Sequence, residues 1–97
     1  MTVPDSTPTP EIHVQFDDNR LLPLLFGAHD KHLIQIEQRL GVSLISRGNH
    51  IVISGPEDAP SLARLALNRL YDRVRSGQSI ELAGVDAAVR MTVAGQS

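Results

Sequence analysis

The chain has 97 residues, 41% apolar and 21% charged but only 3% aromatic, with no Cys and no Trp. That length holds one aliphatic core, and the lack of cysteine excludes disulfides, thiolate metal sites and thiol nucleophiles. A formal charge of −2 excludes nucleic-acid affinity through global charge, so any such role needs a local basic patch.

Residues 1–10 are rich in Thr and Pro, including Pro4, Pro8 and Pro10, and read as an extended or disordered leader. The start lacks a basic segment and an apolar middle, so no signal peptide is expected. No apolar run is long enough to span a membrane, and the cytoplasm is the expected location. From Glu11 onward Ile12, Val14 and Phe16 alternate with polar residues, the period-two pattern of a strand with one buried face. Asp17-Asp18-Asn19 ends it and can cap a short helix over Arg20–Phe26, with Pro23 in the first turn. Gly27 stops that helix. Asp30 is placed to cap the next, over Lys31–Leu40, where Leu33, Ile36 and Leu40 form one stripe and Gly41 suits a left-handed C-terminus. Two β-branched runs, Val42–Ser46 and His50–Ser54, flank Arg47-Gly48-Asn49 and predict a hairpin. After Gly55-Pro56, Asp58 and Pro60 open a helix from Ala59 to Arg75, ending at Gly77. It carries the rows Leu62, Ala66, Leu70, Val74 and Ala63, Leu67, Tyr71. Arg64, Arg69, Arg73 and Arg75 are placed on its polar side. Val85–Met91 suggests a small terminal helix within an extension over 78–97.

Catalytic groupings are absent, so this segment is not expected to be an enzyme. No serine sits in a nucleophile motif, and Asp17-Asp18 on a strand end would point to opposite faces. His29, Asp30 and His32 are close in sequence, but a closed zinc site wants about four ligands. His13 and His50 fall on strands away from that cluster. We therefore expect no metal site and solvent-exposed histidines.

The strand-helix-helix-strand-strand-helix order resembles the KH domain, an α+β fold with three helices on one face of a three-stranded antiparallel sheet. The KH loop between the first two helices carries a G-x-x-G motif that grips the nucleic-acid backbone. The matching stretch here runs Phe26-Gly27-Ala28-His29-Asp30-Lys31-His32-Leu33-Ile34-Gln35-Ile36-Glu37. Leu33, Ile36 and Glu37 fit the run after that loop, and Ile51-Val52-Ile53-Ser54-Gly55 fits the last strand. More narrowly, Phe16–Gly27, Ile36–Val42 and Gly84–Met91 resemble the front segment of bacterial PhoH-like ATPases.

That resemblance implies a KH-like domain over 11–77 and a C-terminal extension leading toward an ATPase domain. ATP and Mg would belong to that domain, because no phosphate loop ending in Gly-Lys-Ser/Thr occurs here. It implies a single-stranded RNA module with Gly27, Ala28, His29, Asp30 and Lys31 as the clamp and Arg39 and Arg47 along the groove. Lys31 and Arg47 are expected to point into one groove beside Gly27. Asp30 replaces the second glycine and sets a carboxylate where phosphate would sit. The alternative is a structural module that docks the ATPase domain, a partner protein or further copies of itself. That reading expects an exposed apolar patch involving Ile80–Met91.

Overall fold

The computed structural model describes residues 11–95, so the leader expected over 1–10 lies outside the described residues. Strand β1 (Glu11–Gln15) leads through a 3-10 turn at Asn19–Leu21 into α1 (Leu22–Phe26). A second 3-10 turn, Ala28–Asp30, joins α2 (Lys31–Leu40). Then come β2 (Ser43–Arg47), β3 (His50–Ser54), α3 (Ala59–Arg75) and α4 (Leu82–Ala94). The sheet is antiparallel with order β1-β3-β2. The α+β class, element order and three-stranded sheet anticipated from the sequence are therefore present. No helix among the described residues is long and apolar enough to cross a membrane.

Strand alternation divides the sheet as the sequence requires. Ile12, Ile53 and Leu44 pair in one row, with Val14 opposite Ile51 in the next. These rows face the helices, and Ile51 and Ile53 are fully buried. The helices contribute Leu25, Ile36, Leu67 and Leu70 to the same core. Both anticipated rows of α3 are buried except Leu62, which is half-buried at the first turn. On its polar side Arg64, Arg69 and Arg75 are exposed, whereas Arg73 is half-buried beside Gly84 of α4.

Helix α4 is longer than the small helix expected, and it belongs to this core. Val85, Ala88 and Val89 are buried where it packs against α2 and α3. Thr92 is buried too, its hydroxyl donating to the Ala88 carbonyl at 2.8 Å. The turn before α4 is a Schellman closure of α3. The Gly77 amide donates to Val74 O and the Gln78 amide to Arg73 O, each at 3.0 Å, with Gly77 at φ 90°.

Two anticipated caps do not form. Asp30 lies in left-handed backbone at φ 58°, ψ 27°, and its side chain makes no capping bond. An N-cap carboxylate needs extended backbone to swing onto the first free amides, and the left-handed turn denies it that. Asp58 is already turning at φ −88°, ψ −3°, so its backbone carbonyl, not its carboxylate, meets the Leu62 amide at 3.1 Å. Asp18 does cap: its backbone is extended and its Oδ1 accepts the Arg20 amide at 3.0 Å.

Candidate nucleic-acid interface

The loop between α1 and α2 takes its shape from its residues. Gly27 adopts φ 81°, ψ 171°, a region essentially reserved for glycine. His29 (φ 54°, ψ 31°) and Asp30 follow it in left-handed backbone. Asp is among the few side chains that visit that region readily. Asp30 thus keeps a backbone bend that a glycine would favour, while adding a carboxylate.

Beneath this loop lies His32, which the sequence reading placed in solvent. It is 2% exposed. As the second residue of α2 it turns inward, and its Nδ1 donates to the Leu25 carbonyl at 2.9 Å. That bond satisfies a carbonyl in the last turn of α1. The ring lies against Gly27 so closely that a Cβ there would meet Cε1 and Nδ1 at 2.9 Å. Its Nε2 is buried without a hydrogen-bond partner. Gly27 is therefore constrained twice, by its own dihedrals and by the ring under it. The sequence offered one hint: position 32 precedes Leu33 and lies four residues before Ile36, beside the buried stripe.

A groove of about 510 Å³ opens in front of the loop, lined by Asn19, Leu22, Pro23, Phe26, Gly27, Asp30 and, from the hairpin, Gly48. The hairpin turn is held in place by Phe16, the residue after β1. The Phe16 amide donates to Asn49 O at 2.9 Å, and Asn49 Nδ2 donates to Phe16 O at 2.8 Å. The floor is mainly apolar, from α1, and its two ends are glycine-bearing loops.

The predicted cations separate into two groups. Arg39 is not in the groove. Its Nε pairs with Asp86 of α4 at 2.8 Å, and Asp86 also meets Arg90 at 3.4 Å. Arg20, in the 3-10 turn before α1, is held by Asp18 at 3.1 Å. Hydrogen bonds from the Arg20 side chain and amide, with a smaller part from its charge, hold the Asp18 carboxyl below the usual carboxylate range. Lys31 and Arg47 are exposed and make no ion pair among the described residues. Neither lines the groove, but each is next in sequence to a residue that does, Asp30 and Gly48. Ala28 and His29 are exposed on the loop, and their amides make no hydrogen bond among the described residues.

Glu37, noted with Ile36 as a matched pair, has a structural task. Its Oε2 accepts the Leu44 amide at 2.8 Å, and its carbonyl accepts the Gly41 amide at 2.8 Å. One residue thereby closes α2 and aligns the start of β2. A second, more polar cavity of about 430 Å³ lies between the Asp17–Leu21 segment and α3, lined by Asp17, Asp18, Leu21, Tyr71 and Arg75. No group of three or more His, Cys, Asp or Glu among the described residues could hold a metal ion. Compared with family models, curated proteins and solved structures, the chain matches none of them.

Proposed function

We propose that this chain is a KH-like module for single-stranded RNA, of the kind that the front segment of a PhoH-like ATPase would supply. The observation that carries the reading is the groove between the Gly27–Asp30 loop and the Gly48 turn. An apolar floor suits unstacked bases. Exposed amides at Ala28 and His29, ahead of the α2 N-terminus, suit phosphate oxygens. Lys31 and Arg47 make no ion pair among the described residues, so their charge is available to a backbone crossing the groove. The left-handed backbone of His29 and Asp30 is strain held at a loop, as ligand clamps often hold it. Asp30 sets a limit on affinity, because its carboxylate lines the same groove.

The test is fluorescence-polarisation titration of short single-stranded RNA and DNA at low and moderate salt. Wild type is expected to bind weakly and with salt sensitivity, Lys31→Ala to bind more weakly still, and Asp30→Gly to gain affinity. No binding by wild type or Asp30→Gly removes RNA contact by this loop.

A second reading has its own observation. Leu82, Met91 and Val93 of α4 are 42%, 53% and 44% exposed. Large apolar side chains along one short helix are what a docking module would present to an ATPase domain, a partner or its own copy. Leu82 and Val93 share one side of α4, and Met91 lies on the other flank. If the RNA titrations are silent, the Leu82 and Val93 side becomes the working account, and charged substitutions at those two residues that abolish association would then support it.

A further inference from the structure

The face of the sheet turned away from the helices carries an arrangement that the groove does not use. Strand alternation puts Glu11 and His13 of β1 on that face with His50 and Val52 of β3. His13 stands opposite Val52, and His50 opposite Gln15, so the two histidines are diagonal neighbours across the pairing. His13 Nδ1 lies 2.9 Å from His50 Nε2, with the rings at 70° and their centroids 5.0 Å apart. On the far side of the same ring, His13 Nε2 lies 3.5 Å from Glu11 Oε1.

These contacts favour one arrangement of the protons. A carboxylate on Nε2 favours the tautomer that keeps a proton there, which leaves Nδ1 of His13 with its lone pair toward His50. His50 then supplies the proton between the rings. Two imidazole nitrogens bound cis to a cation at about 2.0–2.1 Å stand roughly 2.9–3.4 Å apart for bond angles of about 90–109°. The spacing between the two rings already falls at the lower end of that range.

We propose that His13 Nδ1 and His50 Nε2 form a bidentate site for a divalent late first-row cation of the zinc, nickel and copper class, with Glu11 orienting the His13 ring from behind. Imidazole nitrogen suits those metals, whereas magnesium and calcium prefer oxygen. Binding needs no net loss of a proton: His50 shifts its proton from Nε2 to Nδ1, and the cation takes the vacated position. Both rings must tilt so that their lone pairs converge. The His13 side chain is 55% exposed and can turn in solvent, whereas His50 is half-buried, so most of the tilt falls to His13. Water completes the coordination, since the site has two protein ligands. Arg47, opposite His50, adds positive charge to this face and works against the cation, and Glu11 offsets it. A bound cation would cross-link β1 to β3, and with them the N-terminal edge of the sheet.

The measurement is calorimetric titration of zinc, nickel and magnesium chlorides into the untagged chain near pH 7.5. Nickel and zinc are expected to bind at one per chain, and magnesium to give no heat. His13→Ala and His50→Ala should each weaken binding at least about tenfold, because a single imidazole loses the chelate. Glu11→Gln should weaken it by roughly tenfold, as loss of a ligand's supporting carboxylate does. His29→Ala, which changes an exposed histidine elsewhere, should leave it unchanged. Zinc should raise the melting temperature of wild type and not that of His13→Ala. Circular dichroism checks that each variant is folded, and His13→Gln serves if His13→Ala is not. Equal affinity in wild type and the His13/His50 double variant, or no binding by wild type at millimolar zinc, overturns the proposal.

Discussion

Gly27→Ala tests how the clamp loop is built. At φ 81°, ψ 171°, an alanine would occupy backbone that only glycine adopts without strain, at a cost of about 1–3 kcal/mol. Its Cβ would also press on the His32 ring at 2.9 Å. That ring is buried and tied to Leu25 O, so it cannot swing aside freely, and overpacking adds about 1–3 kcal/mol. The sum is about 2–6 kcal/mol, a large part of a small domain's stability. Gly41→Ala is the control. Gly41 is left-handed at φ 69° but has nothing within 4 Å of its would-be Cβ. It should cost only the backbone term, about 1–2 kcal/mol. Urea unfolding followed by circular dichroism gives both values. Adding His32→Ala to each variant then separates the terms. In the Gly27→Ala background the second change should cost about 1 kcal/mol or more less than it does alone, because it removes the clash. In the Gly41→Ala background the two costs should add. Equal costs for the two glycine variants, with additive double variants, would refute the idea that His32 fixes the loop.

Further expectations rest on separate features. Asp30→Gly should change stability by less than about 1 kcal/mol, since relief of left-handed strain opposes the extra unfolded-state entropy, while RNA affinity rises; urea unfolding and polarisation read the two together. Leu67→Ala, at a fully buried position, should lose about 2–5 kcal/mol by the same unfolding assay. Glu37→Ala leaves the half-buried Leu44 amide without its acceptor and should cost about 1–3 kcal/mol. The Asp18 carboxyl titrates below its ordinary value of 3.8 because of its hydrogen bonds to Arg20. A depressed folded pKa contributes stability above the unfolded value that is lost as pH falls through the folded one. Its carboxyl NMR signal should therefore move at lower pH in wild type than in Arg20→Ala.

The fold was legible because apolar spacing is strong in this chain. Ile12/Val14/Phe16 alternate, Leu33/Ile36/Leu40 recur at helical intervals, and the boundaries of α2 and α3 fall where Gly41 and Gly77 end them. The hairpin was equally plain, since Gly48-Asn49 connects runs rich in β-branched residues. Side-chain roles were less visible. Asp30 and Asp58 have the composition of caps, but capping depends on a backbone dihedral that composition does not state. His32 read as a solvent-exposed histidine at the start of α2; its burial depends on the Leu25 carbonyl that the turn of the loop sets against it. Arg39 reads as a groove cation until α4 brings Asp86 against it. That last contact joins residues 47 positions apart, on a helix whose place in the core local pattern did not fix.

Placement of charge matters more here than its total. Arg39 and Arg20 sit in ion pairs, while Lys31 and Arg47, each next in sequence to a residue that lines the groove, make none among the described residues. Two phosphate contacts give a salt slope of only about −1.4 on single strands. Affinity in this groove must then come largely from bases on the apolar floor of Leu22, Pro23 and Phe26. The consequence is directly measurable: Phe26→Ser should weaken RNA binding at every salt concentration and leave the slope unchanged. Lys31→Ala should lower the slope by about 0.7. If Phe26→Ser instead flattens the salt dependence, the groove does not hold bases in the way its lining suggests.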